Sequence, residues 1–296
     1  MIDSTNVALL FPGQGVLKAQ EGFELLFRYH DLTNVASEAL GYDVPEFCAG
    51  ADQETLSQTQ YAQPITYILN AFALRAVREQ GFAPDVVLGH SLGEYNALEA
   101  AGVFDFRTAL EMVRIRASIT SEYADGVMVA VVGIDEQVIR AALLDADLNA
   151  VEIANINTPK QIVLAGTASE MVKAEAIMHS LKAIDVRRLR VTGAFHSRHM
   201  LQASERFAKA IASFVPSPPV IPVVANVTAR PHIVSEIADI LVAHLVKPVR
   251  WHESVSWVAS QYPDIRFLQP GNSQVLARML VQIPGVSRAQ IARAKS

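Results

Sequence analysis

From Asp85 the chain runs Asp85-Val86-Val87-Leu88-Gly89-His90-Ser91-Leu92-Gly93 and then into a helical apolar pattern that continues to about Ala101. A short β-branched run, a G-x-S-x-G turn and a helix follow one another without a spacer, and few architectures accommodate that. The strand is apolar on successive residues rather than alternate ones, which marks a parallel sheet covered on both faces. The turn must be sharp, and Gly89 and Gly93 let the backbone pass where a Cβ would clash. The helix starts behind Ser91 and aims N–H groups and its positive dipole end at developing negative charge. Ser91 therefore has the setting of a nucleophile elbow. For the pentapeptide alone, a turn with a capping serine is the alternative.

The rest of the chain repeats the strand–helix alternation. Residues 7–11 form a second buried-type strand, ended by Pro12-Gly13-Gln14-Gly15. The stretch of about 56–80 is helical, with Pro64 suited to a first turn, and 106–121 is a further helix. From Gly126 the texture changes. Strand 127–133, helix 135–144, strands 151–156 and 161–165, helix 169–181 and strand 183–191 follow in the order βαββαβ, the ferredoxin-like plan. After them come a helix (about 200–214), a strand (220–225), a helix from about 235 and a strand (265–268), while the tail from Ser287 is too polar to pack. The expected fold is α/β: a large α/β-hydrolase-like domain (1–125 and 193–296) with a parallel sheet core, and an inserted ferredoxin-like subdomain (126–192).

Composition narrows the function. At 296 residues with 51% hydrophobic and 19% charged, the chain has ample core and is not a disordered segment. A net charge of −5 without a basic block argues against a nucleic-acid partner. The one cysteine, Cys48, excludes an internal disulfide and a multi-cysteine zinc site. The segment from Met1 to Asn6 lacks the basic region of a signal peptide, and no window approaches the ~18–20 apolar residues of a membrane span. The expectation is a cytoplasmic protein with no membrane association.

A serine nucleophile needs a base. Among eight histidines, His196 follows the last strand of the small subdomain, in Gly193-Ala194-Phe195-His196-Ser197, where the chain re-enters the large domain and could face Ser91. His196 and His199 form an H-x-x-H, but no third ligand has useful spacing, so no metal site is expected. The turn after residue 11 could present a backbone N–H as an oxyanion hole requires.

Taken together, Phe11–Gly15, Gly89–Gly93, Arg116 and Ala194-Phe195-His196-Ser197 resemble the malonyl-CoA:acyl carrier protein transacylases, including the discrete acyltransferases that serve polyketide synthases. Thr59-Gln60-Tyr61-Ala62-Gln63-Pro64, Asn155-Ile156-Asn157-Thr158-Pro159-Lys160-Gln161 and Pro248-Val249-Arg250-Trp251 extend the likeness over nearly the whole chain. The resemblance implies Ser91 as the acylated residue and His196 as its base. It implies the N–H groups of Gln14 and Leu92 as the oxyanion hole, and the main-chain carbonyl of His244, where the family has glutamine, as the group orienting His196. Arg116 would hold the free carboxylate of the malonyl group, a role suited to the planar guanidinium fork. Arg114 is the competing candidate, on a different helix face. Phe195, Gln63 and Asn155 would complete the substrate site. Phe195 resembles the bulky residue of malonyl-selective members.

The implied partners are malonyl-CoA as substrate and an acyl carrier protein, with no resident cofactor. The run Arg187-Arg188-Leu189-Arg190 is the densest basic cluster available for docking an acidic carrier. Two departures from the family pattern are Val16-Leu17 after Gly15 and Phe267-Leu268-Gln269-Pro270-Gly271 near the C-terminus. Other readings are a proofreading acyl hydrolase or thioesterase of the same fold, and a non-catalytic carrier-protein docking module. Retention of Arg116 argues against the first, and the Ser91 and His196 pair against the second.

Overall fold

The computed structural model describes residues 6–15, 22–191, 193–271 and 273–293. Val16 and Leu17 lie outside the described residues. Among those described, nine strands form two sheets: β1 (Val7–Phe11), β2 (Val86–Gly89), β3 (Val127–Val132), β4 (Glu152–Thr158), β5 (Gln161–Gly166), β6 (Asp185–Arg188), β7 (Val223–Val224), β8 (Arg266–Gln269) and β9 (Ile291–Arg293).

The first sheet has the order β7-β2-β1-β8-β9, and every neighbouring pair is parallel. Its central strand β1 explains why the sequence is apolar without alternation. Leu9 and Phe11 pack into one core with Ile68, Phe72 and Val113. Ala8 and Leu10 face the other way, into a core with Trp251, Val255 and Leu276. Val87 joins the first core and Val86 and Leu88 the second, so both sides of the sheet are covered. Helices Thr59–Glu79, Gly93–Ala100 and Phe106–Ser121 contribute to the first core, and Trp251–Gln261 and Val275–Leu280 to the second.

The second sheet has the order β4-β5-β3-β6, with antiparallel neighbours throughout. Helices Glu136–Asp145 and Ala168–Ser180 join its strands in the βαββαβ order read from the sequence. Thr158 pairs with Gln161, leaving Pro159 and Lys160 as a two-residue turn. The outer strand β4 is fastened to the large unit: Ile156 N–H donates to Val249 O at 2.9 Å and Val249 N–H to Ala154 O at 2.9 Å. The segment ahead of Trp251 is thereby held against the small sheet, which matters for the site below.

Several expectations need correction. Pro64 is not in a first turn: the helix begins at Thr59, so the proline sits inside it, where its ring forgoes one backbone bond to the preceding turn. The tail does pack. Ser287 caps a short 3₁₀ turn, and β9 extends the sheet beyond β8 with Ala292 buried, because an edge strand needs only one apolar face. The strand expected at 220–225 shrinks to Val223–Val224, as Pro222 cannot donate to a ladder. The segment 24–57 carries four short helices for which no periodic signal was read. Among the described residues, no helix is long and apolar enough to cross a membrane.

Candidate active site

The elbow is built by backbone contact. A Cβ on Gly89 would lie 1.9 Å from Gly93 C, and one on Gly93 would lie 2.1 Å from Phe11 O. Only glycine at both positions lets β2, the helix Gly93–Ala100 and β1 approach this closely. Ser91 is thrown into left-handed backbone with φ 51°, a conformation that costs ~1–3 kcal/mol and persists where surrounding structure enforces it. The enforcing contact is Asn226, whose Oδ1 accepts the Ser91 N–H at 3.0 Å and whose Nδ2 donates to Gly89 O at 2.6 Å.

His196 comes from the opposite wall, also with positive φ (59°). Its Nε2 stands 2.8 Å from Ser91 Oγ, and its Nδ1 lies 2.7 Å from the main-chain carbonyl of His244. A carbonyl only accepts, so Nδ1 carries the proton, and in the neutral ring Nε2 is left to accept from the serine hydroxyl. Burial, followed by the charges of His244 and Arg116, pushes the His196 pKa well below the ordinary histidine value. At neutral pH the ring is a free base.

Ser91 and His196 open into a cleft of about 550 Å³ between the two sheets, lined also by Gln14, Arg116, Asn155 and Phe195. Arg116 is 3% exposed. Its Nη1 donates to Gln63 Oε1, and among the described residues it has no carboxylate partner. Gln63 Nε2 in turn donates to Thr59 Oγ1 at 2.9 Å and Thr120 Oγ1 at 3.2 Å, and Thr59 donates to Gln14 Oε1 at 2.8 Å. Gln63 thus braces Arg116 from behind and does not line the cleft. The competing Arg114 is tied to Glu111 on its own helix.

The N–H groups of Gln14 and Leu92 donate to no described protein acceptor, and the Leu92 side chain is fully buried beneath the turn. His199 points elsewhere, its Nε2 meeting Ala150 O at 2.9 Å. In the altered C-terminal loop, Gln269 Oε1 accepts the N–H groups of Leu276 (3.0 Å) and Ala277 (3.3 Å), so a glutamine suffices to cap the helix Val275–Leu280. Of the basic run, Arg188 is engaged by Glu175 through two bonds of 2.8 and 2.9 Å, whereas Arg187 and Arg190 stand on the cleft rim.

Asn226, Glu94 and His232 were not singled out from sequence. Only their spatial convergence under Ser91 marks them, and no local spacing carries it.

The family model for the acyl transferase domain matches residues 9–267. The chain is 39% identical over 269 residues to the polyketide biosynthesis malonyl CoA-acyl carrier protein transacylase PksC of Bacillus subtilis (strain 168), an alignment covering 90% of this chain and 93% of that protein. The chain belongs to the malonyl-CoA:acyl carrier protein transacylase family. Its fold superposes on the transacylase crystal structure from Burkholderia pseudomallei with a TM-score of 0.88 at 39% identity, over 95% of this chain and 98% of that one. A second transacylase of the family, solved in complex with its type II polyketide synthase acyl-carrier protein, matches with a TM-score of 0.90 at 29% identity, over 98% of this chain and 95% of that one.

Proposed function

We propose that this transacylase moves a malonyl group from malonyl-CoA, through an ester on Ser91, to the phosphopantetheine thiol of an acyl carrier protein in the cytoplasm, in polyketide or fatty-acid biosynthesis. The observation that carries the reading is one cleft holding a serine–histidine pair and, on its wall, a buried arginine without an acidic partner among the described residues. An unpaired buried guanidinium is costly unless a ligand supplies the anion. The malonyl carboxylate supplies it, and Gln63 holds the guanidinium in place to receive it.

His196 Nε2 takes the Ser91 hydroxyl proton as Oγ attacks the thioester carbonyl. The oxyanion forms against the N–H groups of Gln14 and Leu92. The intermediate collapses, the C–S bond breaks, and His196 returns the proton to the CoA sulfur. The carrier thiol then gives its proton to His196 and attacks the ester. Breaking the C–O bond returns that proton to Ser91 Oγ. The His244 carbonyl keeps Nδ1–H in place throughout, so no buried aspartate is needed. The cleft must exclude water for the ester to survive between the steps.

A hydrolase of the same fold would share the serine and histidine, but an acyl group without a carboxylate would leave Arg116 unpaired. Incubation with mixed acyl-CoAs followed by intact-protein mass spectrometry tests the reading. The malonyl adduct is expected to dominate and to discharge onto added carrier protein. An adduct that discharges only to water indicates the hydrolase.

A further inference from the structure

Beneath the Ser91–His196 pair, and outside the cleft, lies a wholly buried carboxylate. Glu94 stands on the first turn of the helix Gly93–Ala100, and four donors from two distant segments converge on it. Oε2 meets Asn226 Nδ2 at 2.7 Å and His244 Nδ1 at 2.9 Å. Oε1 meets His232 Nε2 at 2.7 Å and the Asn226 N–H at 3.3 Å. With every lone-pair direction facing a donor, there is no place for a carboxyl proton. Burial alone would raise the pKa, but the attraction of His244 and the hydrogen bonds from His232 and His244 outweigh it and hold the carboxyl well below the usual carboxylate range.

The two donors on Oε2 are the residues that grip the two halves of the pair. Asn226 presents Oδ1 to the Ser91 N–H and so enforces the strained elbow. His244 presents its carbonyl to His196 Nδ1 and so sets the tautomer and tilt of the base. A single carboxylate oxygen therefore ties the nucleophile, on the large sheet, to the base, on the re-entrant segment after β6. Ser91 and His196 are 105 residues apart in sequence, so their register is a property of the fold.

We propose that Glu94 is a positioning residue that holds Ser91 and His196 in reacting register, through Asn226 on one side and His244 on the other. The proposal rests on the assignment of Ser91 and His196 as nucleophile and base. Among uncharged replacements, glutamine is closest in shape, yet it sets an NH₂ donor against donors where the carboxylate had an accepting oxygen. The misfit lands on Asn226 or His244, and a displacement of ~1 Å at reacting atoms can cost ~10²-fold in rate.

The test compares wild type with Glu94→Gln for malonyl transfer to a carrier protein, with circular dichroism and thermal melting as fold controls. The expected result is a kcat lower by ~10- to 10²-fold, with a KM for malonyl-CoA that does not rise, because Glu94 makes no contact in the cleft. A folded Glu94→Gln with wild-type kcat overturns the proposal, as does a loss residing in KM. If that variant does not fold, His244→Leu and His244→Gln decide, since an amide at this position can still donate to Glu94 and leucine cannot. The leucine variant should then be at least about tenfold slower in kcat than the glutamine variant, and equal rates overturn the proposal. Ser91→Ala, run alongside, separates the two levels. If it still becomes acylated, the assignment of the pair is wrong; if it is inert while Glu94→Gln is fully active, only the positioning role is wrong.

Discussion

Replacing Arg116 by alanine removes the charge proposed to select the substrate, and the surroundings of the residue set the size of the effect. The guanidinium is buried, held by the neutral amide of Gln63, and has no carboxylate among the described residues. A bound malonyl group would turn it into a buried, hydrogen-bonded charge pair. Truncating one partner of such a pair costs ~2–5 kcal/mol. At ~1.4 kcal/mol per decade, kcat/KM for malonyl-CoA should fall by about 30- to 4,000-fold. Acetyl-CoA has no carboxylate to lose, and in the variant it no longer has to cover an unpaired guanidinium, so its kcat/KM should hold or rise. The malonyl-to-acetyl ratio then collapses by the whole factor.

Competitive self-acylation with the two thioesters, read by intact mass, measures that ratio directly, and retained acetylation reports that the variant is folded. Arg114→Ala is the control. Arg114 is part-exposed and paired with Glu111, an interaction worth ~0–1 kcal/mol, so the ratio should move by at most about fivefold. A collapse in Arg114→Ala instead would mean the wrong arginine is assigned. An unchanged ratio in both variants would refute carboxylate recognition by this helix.

Four further outcomes are expected. His196→Ala should lower acylation by ~10³-fold or more, while His199→Ala, whose ring bonds Ala150 O away from the cleft, should cost far less; comparable losses would misplace the base. Because burial depresses the His196 pKa, the neutral, active form persists below the ordinary value of ~6.5, and the acid limb of kcat/KM for acylation should lie below that pH; a limb above it would contradict a buried free base. Phe195→Ser should admit methylmalonyl-CoA, since a pocket that rejects one methyl by shape discriminates by only ~1–3 kcal/mol; an unchanged malonyl-to-methylmalonyl ratio would remove Phe195 from selectivity. Charge reversal at Arg187, on the cleft rim and not tied up as Arg188 is by Glu175, should weaken transfer to the carrier protein much more than self-acylation; equal effects would place docking elsewhere.

The parts of the site readable from sequence were those in which a local pattern has a local cause. Gly89 and Gly93 are glycines because two backbones nearly touch there, and that requirement is visible in five consecutive residues. The βαββαβ order was readable because β3, β4 and β5 are buried along most of their length, while the helices between them bury one periodic face each, Ile139 with Leu143 and Met171 with Ala174 and Met178. His196 was readable only as the residue after a strand that re-enters the large domain, and its facing Ser91 is a property of the fold. Arg116 and Arg114 could not be separated on physical grounds until the i,i+3 partner Glu111 claimed Arg114. Gln63 could not be placed from sequence: the helix Thr59–Glu79 turns its side chain toward Thr120 and Arg116, behind the cleft lining. The Glu94, Asn226 and His232 cluster left no trace in sequence spacing: Glu94 and His232 are 138 residues apart, and each alone reads as an ordinary polar residue. The short helices in residues 24–57 were missed for a different reason, since helices of five to eleven residues hold too few turns for a period to show.

The central claim is that the malonyl group passes through Ser91, and locating the adduct tests it most directly. Wild type and Ser91→Ala are exposed to malonyl-CoA, and intact-mass measurement is followed by peptide mapping of the modified residue. The account predicts a single malonyl increment on the peptide bearing Ser91, absent from Ser91→Ala and discharged onto the thiol of added carrier protein. An increment that survives in Ser91→Ala, or maps to another residue of wild type, would contradict it.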